Sequence, residues 1–553
     1  MNFFKKYLRY WHTVRNLRFI QIYYRIYFSF TTSLRIKISP VKVRNISAHP
    51  IFLMHKRNSL ISKSEFLFFN KIGDINTIGW NPKNYKKLWV YNLHYFDFLN
   101  IQEGIKSNEY VSWQKLIINR WIDENPYPNG IGWDSYPTSL RIVNWAKWVI
   151  NDNPTNQKMI QSLNFQTEWL FRRIEWHLLG NHLFSNAKAL LFSGILLEGR
   201  SSSKWTSKAF KIIDNELKEQ ILDDGGNFEL SPMYHAIFLE DLLDIIQLSI
   251  SFPDSFKKEQ IHNWKKIALK MIDWLEVMTH KDGQIALFND SALNVSSSTL
   301  ELIKYANSLG ILESKTIEKD DKNIKLVHLK NTGYIKLSDL KVDIFIDIAD
   351  VGPSYLPAHA HADTLSFELS FNTYRIFVNG GTSTYELGEK RNRERMTSSH
   401  NTVVLNDQNS SDVWNSFRVG RRARPYDLKI SQKEFFTKVS CSHNGYKHIN
   451  GKPVHNREWY FEKNKLLITD KISGKYNSAI AHYIIHPDVK IIQKDSNRFI
   501  LKMLDGNEIS MISSDESELI DFQYSPYFGN SVATKAIKIK CINKNISCSL
   551  EWD

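Results

Sequence analysis

The chain has 553 residues, 42% of them hydrophobic and 13% aromatic, which excludes a disordered or low-complexity protein and predicts two or more globular domains. Its net charge of +14 comes almost entirely from the N-terminus, because residues 1–64 hold 13 of the 72 Lys and Arg residues and no acidic residue. The remainder, with 59 basic and 58 acidic residues, is nearly neutral, so we expect no nucleic-acid partner. The three cysteines, Cys441, Cys541 and Cys548, lack metal-site spacing and cannot all pair, which fits a reducing compartment or inert thiols.

The N-terminal segment alternates aromatic and basic residues over residues 1–30 and contains no apolar run as long as a signal peptide or a membrane span. Two interpretations remain open. The segment either rests on an anionic membrane surface or packs on the body as a helix with its arginines in solvent. The sequence favours the second interpretation, in which the segment packs on the body as a helix.

From about residue 87 to residue 310 the apolar residues recur with the period of an α-helix, and short polar breaks separate the segments. Antiparallel helix pairs joined in this way build a bundle, a solenoid or a closed ring. The clearest predicted helices are 183–199, 205–221, 234–252, 259–280 and 298–309.

Near residue 325 the apolar period changes to two, and residues rich in Ile, Val, Phe and Thr alternate with turn residues to the end of the chain. A helical half followed by a β half predicts a multidomain α+β protein with a cleft at the domain interface. We predict an N-terminal segment 1–64, a helical domain 65–320 and an antiparallel β domain 321–553.

Three polar stretches interrupt the amphipathic pattern of the helical half. Asn181 and His182 stand at a predicted helix start, where Asn181 serves either as an N-cap or in a functional site. Tyr234 follows Ser-Pro and is therefore expected in a first helical turn, facing either the core or a cleft. Asn289 and Asp290 are interpreted as structural loop residues.

In the β half, residues 357–371 read PAHAHADTLSFELSF, with two histidines ahead of an alternating strand pattern. If the strand began early, His359 and His361 would share one side, whereas in a turn they would diverge. Sequence alone leaves both a structural and a catalytic role open for them.

Candidate substrate-binding residues come from both halves. Trp133 and Tyr136, in the loop GWDSYP, could stack on sugar rings. Tyr385 and Arg395 lie in a polar stretch of the β half, where an arginine could bind carboxylates.

Together these motifs resemble the heparinase II/III family of polysaccharide lyases. In chain order they are WVYNLHYFDFL, WDSYPTSLRIVNWAKW, GNHLFSNAKALL, DGGNFELSPMYH, HAHADTLSFEL, SSHNTVVL and WNSFRVGRRARP. The resemblance implies an incomplete (α/α) toroid followed by an antiparallel β-sandwich. It also implies β-elimination at a uronic acid of an acidic polysaccharide, in which the enzyme neutralises the carboxylate, removes the C5 proton and protonates the leaving O4.

The resemblance implies four catalytic residues. Asn181 would hold the carboxylate, with His182 beside it or acting as the base. Tyr234 would protonate the leaving oxygen, or act as both base and acid when the proton and the leaving group lie on one face. His359 would neutralise the carboxylate or serve as an alternative base.

Relatives carry a zinc bound by His, Asp and His, and the matching positions here are His361, Asn379 and His400. Because a neutral amide is a poor zinc ligand, we expect no required cofactor and at most a weakly held structural zinc. The basic N-terminus resembles members that accompany surface-polysaccharide assembly, so we expect a cytoplasmic protein, with peripheral contact at the inner membrane face as an option.

Two alternatives stand beside the lyase. One is a non-catalytic glycan-binding or assembly factor that keeps the fold. The other is a hydrolase, which needs two carboxylic acids across the cleft. Glu229, Asp290 and Asp363 are its candidates, and nothing in the sequence brings two of them together.

Overall fold

A computed structural model describes residues 2–31, 35–47, 58–100, 107–312, 324–542 and 545–553. Within these ranges the helices are α1 (Asn2–Val14), α2 (Phe19–Phe30), α3 (Ile75–Ile78), α4 (Lys87–Tyr95), α5 (Asn108–Glu124), α6 (Ser135–Ile150), α7 (Gln157–Arg172), α8 (Gly180–Leu196), α9 (Ser202–Gln220), α10 (Pro232–Ser251), α11 (Lys258–Val277), α12 (Thr299–Ser308) and α13 (Glu389–Arg395). No helix among these residues is long and apolar enough to cross a membrane.

The strands lie mostly in the C-terminal half. They are β1 (Lys42–Val43), β2 (Glu65–Phe68), β3 (Lys71–Asp74), β4 (Leu197–Glu198), β5 (Lys325–Leu329), β6 (Tyr334–Ser338), β7 (Val342–Asp347), β8 (Phe367–Phe371), β9 (Tyr374–Phe377), β10 (Val403–Leu405), β11 (Val413–Trp414), β12 (Arg418–Val419), β13 (Pro425–Gln432), β14 (Phe436–His443), β15 (Val454–Glu462), β16 (Lys465–Ser473), β17 (Ala479–Ile484), β18 (Lys490–Gln493), β19 (Arg498–Lys502), β20 (Glu508–Ser513), β21 (Ser517–Tyr527), β22 (Asn530–Lys540) and β23 (Asn545–Glu551).

The helical domain is a ring of paired helices, as the toroid prediction requires. Helices α6, α8 and α10 are buried around most of their circumference, whereas α7, α9 and α11 bury one face and expose polar residues on the other. A helix with few charged residues on any face is stable only inside the protein, so the first three form the inner ring. Lys147 of α6 and Lys188 of α8 both reach Asp244 of α10, and these buried ion pairs tie the inner helices together.

The β domain is an antiparallel sandwich. One layer is an eight-stranded sheet in the order β13-β14-β15-β16-β23-β20-β19-β18. The other layer combines the five-stranded sheet β5-β6-β7-β8-β9 with the four-stranded sheet β10-β17-β22-β21, which a bridge between Phe377 and Ile485 joins. Alternate residues of both layers form one apolar core, which explains the period of two in this half. The multidomain α+β prediction is confirmed, while the predicted boundary at residues 320–321 lies outside the described residues.

The two domains pack through polar and apolar contacts. His280 Nε2, after α11, lies 2.9 Å from Glu368 Oε2 of β8, and Arg375 Nε of β9 donates to Asp282 Oδ2 at 2.8 Å. Val378 of the sandwich joins the same apolar cluster as the toroid core. These contacts therefore fix the positions of the two domains on either side of the cleft.

Candidate active site

The N-terminus of α8 carries Asn181 into the domain interface. The helix begins at Gly180, and Leu179 is its N-cap, so Asn181 does not cap the helix. Gly180 has φ +56°, and a Cβ there would lie 2.6 Å from Glu229 Oε1 and 2.4 Å from Leu356 Cδ2. Only glycine permits this approach. The backbone N–H of Asn181 donates to Glu229 Oε1 at 3.2 Å, while its side-chain amide makes no hydrogen bond to any described residue and is open to a ligand.

His182 is oriented by a buried carboxylate. Its Nδ1 lies 3.2 Å from Glu175 Oε1, and Asn186 Nδ2 donates to the second oxygen of Glu175 at 3.0 Å. Burial lowers the pKa of His182, but the negative charge of Glu175 outweighs burial and raises this pKa above its usual value. The ring of Tyr136 lies 4.6 Å from that of His182. An imidazole held through Nδ1 presents Nε2 as a base, as in a catalytic triad.

Tyr234 lies in the first turn of α10, as predicted. The helix begins at Pro232, and Ser231 Oγ accepts from the Tyr234 N–H at 3.2 Å. The Tyr234 hydroxyl is 2.9 Å from the hydroxyl of Tyr385, which comes from the β domain. Burial, with negative charge nearby, holds the pKa of both phenols well above the usual value. Both are therefore neutral proton donors at neutral pH.

His359 lies between two carboxylates. Its Nδ1 is 3.0 Å from Asp290 Oδ2, its Nε2 is 3.4 Å from Glu229 Oε2, and its ring centroid is 3.9 Å from that of Tyr234. Of these two contacts only the one to Asp290 is a hydrogen bond, because Glu229 Oε2 is buried without a hydrogen-bond partner among the described residues. Arg391 binds both oxygens of Asp290, and although burial opposes ionisation, this guanidinium keeps the pKa of Asp290 well below the usual range. The His359 ring is thus fixed by Asp290 and lies directly against the Tyr234 ring.

The second histidine of the pair contacts the same aspartate as the first. Strand β8 begins only at Phe367, so His359 and His361 lie in a loop and not along a strand. His361 Nε2 is 2.8 Å from the other oxygen of Asp290, so one carboxylate fixes both rings. Burial lowers the pKa of His361 to about 4.

The predicted zinc residues are adjacent but poorly suited to zinc. The rings of His361 and His400 lie 5.2 Å apart, and His400 Nδ1 is 3.1 Å from Asn379 Oδ1. His361 Nδ1, His400 Nε2 and Asn379 Nδ2 are buried without a hydrogen-bond partner. The described residues place no group of three His, Cys, Asp or Glu side chains around this point. Because Asn379 offers only a neutral amide and no carboxylate of the described residues supplies the third ligand, the donor set does not fit a tightly held zinc.

Two predicted substrate-binding residues are structural. Trp133 is only 7% exposed and packs on Trp121 and Trp169 in the toroid core, so it cannot stack on a sugar. Arg395 is fully buried and donates to the carbonyl oxygens of Ala360 and Ser416, so its guanidinium is unavailable to a substrate. In both cases the side chain has the chemistry to bind a sugar or a carboxylate, but it is buried inside the protein and cannot reach a substrate.

Phe417, which the sequence did not single out, supplies an exposed ring at the site. Its ring lies 5.1 Å from that of Tyr385 and 6.0 Å from that of His359, and 39% of the residue is exposed. Together with Tyr136, Tyr385 and Tyr234, which are part-exposed, it gives the site an aromatic lining suited to a sugar ring.

The comparisons with known proteins agree with this architecture. Residues 23–311 match the family description "Heparinase II/III N-terminus", and residues 321–552 match "Heparinase II/III-like, C-terminal". The chain belongs to the heparinase II/III family of polysaccharide lyases. A heparin-sulfate lyase of Bacteroides stercoris is 23% identical over 493 residues, which are 80% of this chain and 70% of that protein. One of Bacteroides thetaiotaomicron is 24% identical over 54% of this chain and about half, 48%, of its own length.

Solved structures show the same fold. A structure named heparinase III aligns with a TM-score of 0.73 at 16% identity, covering 96% of this chain and 90% of that one. A heparan sulfate lyase of Pedobacter heparinus aligns with a TM-score of 0.57 at 18% identity, covering 88% of this chain and 81% of that one. The toroid and sandwich are therefore the architecture of the family.

The interface in this heparinase II/III chain includes residues that sequence reasoning missed or left as structural. Glu175, which orients His182, and Arg391, which binds Asp290, were not among the candidate residues. Glu229 and Asp290 are brought together, but on opposite sides of one imidazole. The structure, though not the sequence, marks the site locally: Leu179, Leu230 and Asn289 adopt positive φ angles of 67°, 61° and 56° directly beside site residues. Such strained residues cluster at functional sites.

Proposed function

We propose that this protein cleaves a uronic-acid-containing polysaccharide by β-elimination, with Tyr234 as the proton donor. One observation carries the proposal: the Tyr234 hydroxyl contacts that of Tyr385 and its ring packs on His359, whose Nε2 lies 3.4 Å from Glu229. Glu229 in turn accepts from the backbone N–H of Asn181, whose side-chain amide makes no hydrogen bond to a described residue. An amide, an imidazole and a phenol meeting at one cleft are the groups that this reaction requires.

The first requirement is to acidify C5–H, because the carbanion formed there is stabilised only if the adjacent carboxylate is neutralised. Asn181 can donate its side-chain amide to that carboxylate. His359, held by Asp290 against the Tyr234 ring, is the imidazole placed to help neutralise that carboxylate. Because Arg391 binds Asp290 and Asp290 binds His359, the imidazole is oriented before the substrate binds.

The second requirement is proton transfer. Tyr234 is neutral and can protonate O4 as the C–O bond breaks. When the C5 proton lies on the opposite face from O4, His182 is the base, because Glu175 leaves its Nε2 accessible. When both lie on one face, Tyr234 would have to act as a phenolate, which takes the C5 proton and then gives it to O4, and the raised pKa of the phenol disfavours this route. A base with a raised pKa works efficiently near neutral pH.

The same geometry disfavours hydrolysis. A glycosidase needs two carboxyl groups on opposite sides of the scissile bond, one of them free to protonate the leaving group. Glu229 and Asp290 are both buried and both face His359, and Asp290 is bound by Arg391. Neither carboxyl is positioned as a free acid over the cleft.

The relatives named heparin-sulfate lyase support a sulfated or otherwise acidic uronate polymer as the substrate class. The test is incubation of the purified protein with a panel of uronate polymers while the absorbance of the unsaturated product is followed. Formation of this chromophore supports elimination. If no polymer yields it but polymers bind, the protein is a glycan-binding or assembly factor that retains the fold.

We also propose that the protein works in surface-polysaccharide metabolism, as a cytoplasmic protein at the inner face of a membrane. Support comes from α1 and α2, which pack on the body by one face and leave the other exposed. The outward face of α2 is an aliphatic and aromatic stripe, with Phe19 80% and Phe30 84% exposed, and Ile22 and Ile26 between them. Exposed rings among basic residues suit an anionic bilayer surface.

A further inference from the structure

A short β-hairpin, formed by β11 and β12, carries the exposed ring of Phe417 into the active site. Residues 415–417 form its turn, in which two consecutive residues have positive φ angles of 47° and 61°. Phe417 leaves this turn 39% exposed, and its ring lies 6.0 Å from that of His359 and 5.1 Å from that of Tyr385. The position of the hairpin therefore decides where this ring stands in the cleft.

Two buried arginines of α13 hold the turn from the inside. Arg391 Nε donates to the carbonyl oxygen of Ser416 at 3.1 Å, and Arg395 Nη1 donates to the same oxygen at 2.7 Å. Ser416 Oγ in turn donates to the carbonyl oxygen of Tyr385 at 2.6 Å. Both guanidinium groups are fully buried, where the loss of a hydrogen-bond partner is costly. The residue directly before Phe417 is thus fixed by three hydrogen bonds.

The strands of the hairpin pack on the loop that carries the site histidines. Val419 belongs to a small buried apolar cluster with Ala360, and Val413 packs against this cluster. Ala360 directly follows His359 in the chain. The hairpin and the imidazole are therefore parts of one packed unit, which sets the distance between His359 and the Phe417 ring.

Helix α1 supports the same hairpin from the outside. The ring of Tyr10 meets that of Trp414 edge to face at 4.9 Å, and Trp414 Nε1 donates to Thr13 Oγ1 at 3.3 Å. Directly after β12, Gly420 lies so close to α1 that a Cβ there would stand 3.3 Å from Cγ of Arg9. Helix α1 therefore contacts the hairpin at β11 and again at the end of β12.

We propose that Phe417 binds a sugar ring of the polymer beside the scissile bond, and that α13 and α1 hold it in place from the two sides. The inference rests on the proposed lyase function and adds a recognition residue to it. A flat apolar ring suits the C–H face of a pyranose. Because hydrogen bonds within the protein fix the turn, little conformational freedom is lost when the sugar binds. Tyr10 is then a positioning residue, which acts on Phe417 through Trp414.

The first test separates stacking from packing at position 417. On the uronate polymer that the wild type cleaves, Phe417→Leu should raise KM about threefold to tenfold and change kcat less, because leucine is apolar but has no flat face. Phe417→Tyr, which keeps the ring, should retain the wild-type KM. Phe435→Leu, at a site 76% exposed in the β domain, is the matched control and should change neither constant. A wild-type KM in Phe417→Leu, or an equal rise in Phe435→Leu, would overturn the sugar contact.

The second test asks whether α1 acts through the hairpin. Tyr10→Ala removes the ring that packs on Trp414 and should raise KM about twofold to threefold, whereas Tyr10→Phe should not. In Tyr10→Ala/Phe417→Leu, KM should match that of Phe417→Leu alone, because no ring is left to position. Tyr23→Ala, at an exposed tyrosine of α2, should leave KM unchanged. An unchanged KM in Tyr10→Ala, or additive effects in the double variant, would overturn the positioning role.

The role of Phe417 is also tested if the protein is not a lyase. Absence of unsaturated product from every polymer would contradict the proposed function, and affinity would then decide the sugar contact. Binding of heparan sulfate, hyaluronan and chondroitin sulfate is compared between the wild type and Phe417→Leu. A loss of about threefold to tenfold for a polymer that the wild type binds would support the contact. Equal affinities, or no binding of any of the three polymers by the wild type, would overturn it.

Discussion

The hydroxyl oxygens of Tyr234 and Tyr385 lie 2.9 Å apart, although one residue begins a toroid helix and the other lies in the β domain. The proposed proton donor, Tyr234, therefore has its hydrogen-bond partner only across the domain interface. His359, also from the β domain, packs against the Tyr234 ring, so the site depends on the domain interface as a whole.

Replacing Glu175 with Gln should change the pH dependence of the reaction. The Glu175 charge raises the pKa of His182, so without it burial lowers that pKa. Since a base acts in its neutral form, the acidic limb of the kcat/KM profile should move to lower pH. The maximum rate should also fall, because the ring loses its orientation. The exposed Glu259→Gln is the control. An acidic limb that stays in place would show that His182 is not the titrating base.

Replacing Arg391 with Met should destabilise the protein and abolish activity. The substitution leaves Asp290 as a buried charge without its guanidinium, which typically costs about 3–5 kcal/mol. We expect the thermal midpoint to fall by roughly 5–10 °C. Adding Asp290→Asn should recover part of the stability but not the activity, because His359 loses its carboxylate. The exposed Arg498→Met should behave as wild type. A similar fall in the midpoint for both single arginine variants would contradict a special role for this pair.

Zinc content tests the ligand set at His361, Asn379 and His400. Protein purified without added metal should contain well under one zinc per chain, because the amide supplies no negative charge. Asn379→Asp should raise both the zinc content and the thermal midpoint in the presence of zinc, whereas Asn379→Ala should do neither. Full occupancy in the wild type would show that an amide suffices as the third ligand.

Membrane contact should reside in the exposed stripe of α2. Phe19→Ser/Phe30→Ser should reduce sedimentation with anionic vesicles, and Phe435→Ser, at a site 76% exposed in the β domain, should not. Each Lys or Arg near the bilayer contributes about 1 kcal/mol, so binding should weaken with salt. Wild-type protein that ignores anionic vesicles at low salt would leave α1 and α2 with only their packing role.

The sequence predicted the features that depend on residues close together in the chain. The helical period located α8 to α12 within a few residues, and Ser231-Pro232 correctly placed Tyr234 in a first turn. The alternating pattern identified the sandwich strands, although not that residues 357–366 form a loop.

What the sequence could not supply are long-range contacts. No residue pattern near His182 indicates that the Glu175 carboxylate contacts its ring. Asp290 and Arg391, which form an ion pair, are 101 residues apart in the chain. The type of a side chain also does not report its burial, so Trp133 and Arg395 were assigned to the substrate although both belong to the interior.

The most direct measurement is the rate of unsaturated product formation by Tyr234→Phe, with Tyr385→Phe as the comparison. Each substitution removes one hydroxyl and keeps the ring, so both proteins should fold. If Tyr234 is the proton donor, Tyr234→Phe should lose about 10²–10⁴ in rate, while Tyr385→Phe, which loses only a hydrogen bond to the donor, should lose about tenfold. Wild-type activity in Tyr234→Phe, or a loss confined to Tyr385→Phe, would contradict the assignment.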